Sequence, residues 1–387
     1  MTIPTDIQEK SLTRLIAFYL PQYHPIPEND EWWGKGFTEW TNVSKAKPLF
    51  PGHYQPQIPA DLGFYDLRLP EVREAQANLA REYGIHGFCY YHYWFNGRMI
   101  LERPFNEVLE SGKPDFPFCL CWANENWSRR WDGSEKEVLL EQNYDEYDPI
   151  EHIAWLEKAF RDPRYIRIDG KPVLLVYKAG DIPNITEIIA QWRQYVKQRG
   201  YSDIYLCFVR ASVEGKILEK SYFFDAGFDA HIDFQPDGDT FKKFKEERLH
   251  NYLPTFTGLI IRKLISKMLN ITLSDYKWNI NRALNQQLSD HITFPCVFPS
   301  WDNTPRRQRR NPYISQNNDA SVYADWLTKS IARVQSHGAE EKIVFINAWN
   351  EWAEGCHLEP DLRNGRKFLE VTLNSHQSSL EMSRTKT

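Results

Sequence analysis

Ile343-Val344-Phe345-Ile346-Asn347-Ala348-Trp349-Asn350-Glu351-Trp352-Ala353-Glu354-Gly355 is the stretch that decides how this chain reads. Four consecutive β-branched or aromatic residues mark a short buried strand, and that strand runs directly into a cluster of Asn, Trp and Glu. Seven runs of the same kind precede it: Leu15–Leu20, Gly87–Tyr91, Phe116–Trp122, Val173–Tyr177, Ile204–Val209, Asp229–Asp233 and Phe294–Pro299. With Ile343–Asn347 the chain carries eight. Between them lie amphipathic patterns, Leu69–Tyr83, Ile150–Phe160, Ile185–Gln198 and Ala320–Ser336, with apolar residues at spacings of three and four. Alternating strand and helix predicts a parallel sheet, and eight strands predict closure into a (β/α)8 TIM barrel of the α/β class. A doubly wound open sheet is the alternative that the same pattern permits.

At 387 residues the chain exceeds the usual barrel of about 250 residues, and insertions account for the excess. They are expected after strand one (Pro21–Asp66) and strand six (Gln235–Ile292). The reading is one catalytic domain over 1–387, with the barrel at about 14–370 and 371–387 as a flexible tail. The first insertion gathers Trp32, Trp33, Trp40 and Tyr54 among Gly and Pro, as suits a structured wall over a cleft. In the second, Leu259–Leu269 is apolar with Arg262, Lys263 and Lys267, and is expected to pack on the barrel rather than lie on a membrane.

A net charge of -5 argues against a nucleic-acid surface. No apolar run approaches the roughly 20 residues that span a bilayer, and Met1–Lys10 has no apolar h-region, so a cytoplasmic protein without stable membrane insertion is expected. Six scattered cysteines fit free thiols better than a disulfide framework. No metal-ligand spacing occurs, and neither a metal nor any other cofactor is expected.

The 14 Trp, 20 Tyr and 22 Phe are the informative bulk feature, because many stand beside polar groups. Sugar rings offer apolar C–H faces to aromatic rings and hydroxyls to nearby donors and acceptors. An isolated aromatic is normally core; mixed clusters at strand ends are not. Active sites of β/α barrels form at the C-terminal ends of strands. Tyr19, Gln22, Tyr23 and His24 follow the first strand, Tyr91, His92, Tyr93 and Trp94 the second, and Trp122, Asn124, Glu125, Asn126 and Trp127 the third. Tyr177, Lys178, Arg210, Asp233, Gln235, Trp301 and Asp302 continue the series.

Glu351 and Glu354 end it. Cleaving a glycosidic bond requires one carboxyl to protonate the departing oxygen and a second basic group across the anomeric carbon. Residues three apart on a helical turn lie about 5–6 Å apart at Cβ, and Trp349 and Trp352 beside them would raise one carboxyl toward general-acid duty. An acidic pair at a helix start is also favoured by the helix dipole alone. Its setting among Trp and Asn at a strand end favours chemistry.

Phe18-Tyr19-Leu20-Pro21-Gln22-Tyr23-His24, Gly36-Phe37-Thr38-Glu39-Trp40, Tyr90-Tyr91-His92-Tyr93-Trp94, Trp122-Ala123-Asn124-Glu125-Asn126-Trp127 and Asn350-Glu351-Trp352-Ala353-Glu354-Gly355 together resemble the WbsX family, which is related to glycoside hydrolase family 99. Members of the family are often named glycosyltransferases of surface-polysaccharide synthesis, whereas the related hydrolases are retaining endo-α-mannosidases. The resemblance implies that Glu351 deprotonates the sugar 2-hydroxyl, which attacks its own anomeric carbon, while Glu354 protonates the leaving oxygen. A 1,2-anhydro sugar results. This requires a 1,2-trans glycoside, as in a mannan- or rhamnan-like oligo- or polysaccharide. The Tyr90–Trp94 and Trp122–Trp127 clusters do not match the mannosidases residue for residue, so the identity of the sugar is not carried over.

Around the pair, Tyr19, Gln22, His24, Tyr91, His92, Trp94, Trp122, Asn124, Glu125, Trp301, Asp302, Trp349 and Asn350 are the expected sugar contacts. Glu125 is also a candidate acid/base, and His92 reads equally well as a core histidine. The Arg306–Arg310 run reads as a solvated loop, with a grip on an anionic polymer as the alternative. Two rivals stand beside the hydrolase. A nucleotide-sugar transferase would use Asp237-Gly238-Asp239 as a metal and diphosphate clamp, although such triplets are common in turns. A non-catalytic carbohydrate-binding protein would explain the aromatics but not the carboxylates.

Overall fold

The computed structural model describes residues 12–129, 134–210, 212–213, 216–237, 270–285, 290–308 and 310–384. Eight strands form its centre: β1 (Arg14–Tyr19), β2 (Gly87–His92), β3 (Phe118–Trp122), β4 (Lys171–Val176), β5 (Tyr205–Phe208), β6 (Ala230–Asp233), β7 (Thr293–Val297) and β8 (Ile343–Ile346). Each pairs in parallel with its sequence neighbours, and β8 returns to β1 through Arg14↔Ile343 to Ala17↔Ile346, which closes the barrel. Closure excludes the open sheet. The strands are apolar along most of their length because a barrel strand is covered on both faces, by the lumen inside and helices outside. Phe118 to Trp122 and Ile343 to Ile346 are buried at every position.

Among the described residues the helices of at least four residues are α1 (Pro27–Trp33), α2 (Glu39–Lys45), α3 (Pro70–Glu82), α4 (Arg103–Ser111), α5 (Pro149–Phe160), α6 (Ile185–Gln198), α7 (Lys220–Asp225), α8 (Tyr276–Leu284), α9 (Thr304–Arg307), α10 (Ala320–Arg333) and α11 (Lys367–Arg384). Local chemistry starts several of them. Pro70 and Pro149 open α3 and α5, where the missing N–H is no loss. The Asp148 carboxylate accepts from the N–H groups of Ile150 and Glu151, and Asp319 from that of Ser321. The buried stripes are those of the periodicity, as in Ile185, Ile189, Trp192 and Val196 of α6.

One expectation fails here. Residues 371–384, read as a flexible tail, continue α11, which packs on α10 and buries Thr372 and Ser375. All six cysteines are buried and unpaired. The Leu259–Leu269 stretch and Asp239 lie outside the described residues. Among the described residues no helix is long and apolar enough to cross a membrane.

Candidate active site

Beyond β8 the chain folds back across the end of β1. The Trp349 N–H donates to Phe18 O at 2.8 Å, and the Asn350 side chain accepts from Leu20 N–H (2.7 Å) while donating to Leu20 O (3.0 Å). Asn350–Glu351 then pairs antiparallel with Cys356–His357 around a single 3₁₀ turn, Trp352–Glu354. Side chains three apart eclipse in a 3₁₀ turn, so Glu351 and Glu354 emerge on one side. Gly355 closes the turn at φ 58°, where a Cβ would meet Gln57 Nε2 at 2.8 Å and Asp302 O at 3.0 Å. Only glycine fits both demands.

Arg306 of α9 joins the two carboxyls. Its Nη2 lies 2.5 Å from Glu351 Oε1, its Nη1 2.9 Å from Glu354 Oε1, and its Nε 3.3 Å from Oε2 of a third acid, Glu39. The Glu39 residue is fully buried, Glu351 is 6% exposed and the Arg306 side chain 11%, whereas 23% of the Glu354 side chain is open. Three carboxylates against one guanidinium leave an excess negative charge out of water, which favours retaining a proton. Burial drives Glu351 up, Arg306 pulls it down, and the Glu354 and Glu39 charges raise it again, to about 8. Burial likewise raises Glu39. For Arg306 burial acts downward, but the charges of Glu351, Glu39 and Glu354 outweigh it and hold the guanidinium well above its ordinary value.

The surroundings fix this arrangement. Asp302 N–H donates to Glu354 O at 2.7 Å, and Asp302 Oδ1 accepts from Thr304 N–H at the start of α9. Its Oδ2 accepts from Gln55 Nε2 (2.6 Å) and from His53 Nε2 (2.7 Å), the tautomer being set because His53 Nδ1 accepts from Leu49 N–H. The Tyr23 hydroxyl donates to Asn350 O and accepts from Trp352 N–H. Beneath the turn Glu359 accepts from Trp352 Nε1 (2.6 Å), Gln76 Nε2 (2.7 Å) and Tyr65 OH (2.8 Å); burial, opposed by these bonds, leaves it at about 7.

Inside the barrel at the same end, the rings of Phe18, Tyr91, Tyr177 and Phe234 touch in a closed circuit with centroids 5.2–6.1 Å apart. Tyr91 also meets Tyr93, whose hydroxyl accepts from Gln22 Nε2 at 3.0 Å. The Glu351 charge acts on Tyr91 and Tyr93 and that of Glu354 on Tyr177, so this aromatic floor adjoins the acids. Opposite, Lys178 pairs with Glu125 at 2.7 Å, and Arg210 lies over Tyr177 and Phe234 with Asp237 at 3.4 Å.

The thirteen expected contacts divide. Tyr91, Gln22 and Glu125 belong to this end of the barrel as just described. Asp302 is there too, but its oxygens are occupied within the protein, and Trp301 beside it is buried. Others face outward, because successive strand residues point to opposite faces. Tyr19 is buried against Tyr90 and bonded to Gln76 of α3, and Trp349 is buried against Phe88. His92, Trp94 and Trp122 surround His152 of α5, with His92 Nε2 3.1 Å from His152 Nε2, so the core reading of His92 is the one that fits. Trp122, Trp349 and Asn350 present no surface to a ligand. Asn124 latches the third and fourth loops through Tyr144 and the Lys178 backbone, and His24 is buried and lowered to about 4 by that burial.

Sequence reasoning missed Arg306, Glu39 and His53. The reading of Arg306–Arg310 as a solvated loop is corrected at Arg306, which is drawn inward by three acids. Glu39 was legible only as a charged residue inside the Gly36–Trp40 motif.

The structure is thus a closed β/α barrel with paired carboxylates and aromatic rings at the C-terminal ends of its strands. Its fold is similar to the family 99 endo-α-mannosidase of Bacteroides thetaiotaomicron, with a TM-score of 0.55 and 14% identity over 96% of this chain and 98% of that one. It is also similar to a glycoside hydrolase-like protein, with a TM-score of 0.57 and 15% identity over 95% and 94%. The chain belongs to the family described as Glycosyltransferase WbsX, which matches residues 15–372. Two WxcX proteins of Xanthomonas campestris pv. campestris, both uncharacterized, are similar to it. That of strain B100 is 42% identical over 95% of this chain and 50% of its own length, and that of strain ATCC 33913 is 43% identical over 92% and 49%. The chain thus spans about half the length of these relatives.

Proposed function

We propose that the protein is a retaining glycoside hydrolase that cleaves a 1,2-trans glycosidic bond in a mannan- or rhamnan-like oligo- or polysaccharide, with Glu351 and Glu354 as the reacting groups. The observation that carries this reading is the convergence of both carboxyls on one guanidinium, with Glu351 enclosed and Glu354 partly open. Glu351 takes the proton of the 2-hydroxyl as that oxygen bonds to C1. The bond from C1 to the leaving oxygen breaks, and the Glu354 proton goes to the departing sugar. Water then adds to C1, giving its proton to Glu354, while the C1–O2 bond opens and O2 recovers its proton from Glu351. Two inversions give retention. The more exposed Glu354 suits the step that must meet solvent, and the enclosed Glu351 suits a proton exchanged only with bound sugar.

Transfer is the second reading, favoured by the family description: a sugar hydroxyl in place of water would open the same intermediate. Incubation with defined mannans, rhamnans and bacterial surface glycans, with and without nucleotide sugars and EDTA, tests both. Cleavage or transfer without a nucleotide donor, with retained anomeric configuration by NMR, is the expected result. An absolute requirement for a nucleotide sugar overturns the proposal.

A further inference from the structure

We infer that Glu39 and Arg306 form a positioning pair: Arg306 clamps Glu351 and Glu354 into a shared orientation, and Glu39 holds the clamp from behind. The inference rests on Glu351 and Glu354 being the reacting pair.

Arg306 uses all three of its guanidinium nitrogens on carboxylates, two on the proposed reacting groups and one on an acid with no exposed surface. A rigid planar fork reaching three acceptors fixes their mutual placement in a way that a flexible ammonium cannot. The three arms come from three segments. Glu39 opens α2, whose N-cap Thr38 forms a reciprocal capping box with Thr41; Arg306 lies on α9, whose first residue, Thr304, donates its N–H to Asp302 Oδ1; the pair lies on the turn after β8. Trp40, next to Glu39, packs on Trp352 of the turn at 5.5 Å, so α2 and the turn are also joined by rings. Packing alone would be met at lower cost by apolar side chains, since burying several charges is weak as a stabilising device. What the charges add is control over the geometry and ionisation of Glu351.

The groups that act on or face Glu351 are Arg306, Glu354, Glu39, Tyr23, Tyr91, Tyr93 and Cys356. Arg306 favours its ionised form, while Glu354 and Glu39 oppose it. Removing the Glu39 charge therefore eases ionisation of Glu351, and weakening Arg306 hinders it.

The test is a titration of Glu carboxyl carbons by NMR in the 13C-labelled protein without substrate, Glu351 being assigned by its loss in Glu351→Gln. Glu39→Gln is expected to lower the Glu351 midpoint and Arg306→Lys to raise it, each by about one pH unit. With a substrate from the glycan screen, Arg306→Lys is expected to lower kcat on the order of 10- to 100-fold with little change in KM. Midpoints unchanged in both variants overturn the inference. So does full turnover in the charge-balanced Glu39→Gln/Arg306→Gln double variant, because a merely structural ion pair would be rescued there. Retained turnover in Glu351→Gln and Glu354→Gln would instead remove the catalytic reading, an outcome distinguishable because the carboxyl titration needs no substrate.

Discussion

Two arginines at the C-terminal end of the barrel, the side chain of Arg306 11% exposed and that of Arg210 22%, differ in their settings. Arg306 meets three carboxylates and lies among acids that together exceed its charge. Among the described residues Arg210 pairs with one carboxylate, Asp237, and lies over the rings of Tyr177 and Phe234 at 5.5 and 4.8 Å. The first environment perturbs ionisation and so suits proton transfer; the second balances its charge and builds a wall. Low exposure of like residues therefore does not mean equal roles, and the opposing charges around each are what separate them.

The comparison breaks most visibly in the acids. Glu351→Gln and Glu354→Gln should each lower turnover on the order of 100-fold or more, whereas Asp237→Asn should leave it within a few-fold. Steady-state kinetics on an active glycan decide this. Loss of activity in Asp237→Asn together with a metal requirement would move the chemistry to the Arg210 side and revive the transferase clamp. The pH dependence sharpens the same contrast. If Glu351 acts as the base, kcat/KM rises with pH toward about 8, because the group must lose its proton to work. A fall through that range would instead make Glu351 the proton donor.

Stability should follow the same acids with the opposite sense. Glu351 at about 8 and Glu359 at about 7 both exceed the ordinary 4.5, so the folded state binds protons more tightly than the unfolded one. Their contribution is complete below about 4.5 and is lost as pH rises through about 7 to 8. Urea midpoints should fall over that window, and Glu351→Gln or Glu359→Gln should flatten the decline. The smallest effect belongs to the wall: Arg210→Lys keeps the charge but loses planar stacking, and should cost about 0.5–2 kcal/mol in urea unfolding without moving the pH profile.

Much of the architecture was legible in the chain. All eight strands stand within two residues of their expected bounds at either end, because short apolar runs rich in β-branched and aromatic residues suit strands buried between two covering layers. The proximity of Glu351 and Glu354 was legible because both lie in one short segment at a strand end. The clusters after the strands misled in a specific way: Tyr91 and His92 are adjacent in sequence, yet the pleat sends Tyr91 to the lumen and His92 to α5. A cluster read whole thus yielded contacts on both faces.

The sequence by itself determined the barrel, the end at which its polar residues gather and the spacing of the carboxyl pair, since each depends on periodicity or on neighbours within a few residues. Tertiary structure alone decided what ionises that pair. Glu39 and Arg306 are 267 positions apart and meet Glu351 only after the barrel closes and the first insertion folds against the last turn. Electrostatic influence depends on distance through space and on burial, and neither is written in the local pattern of the chain.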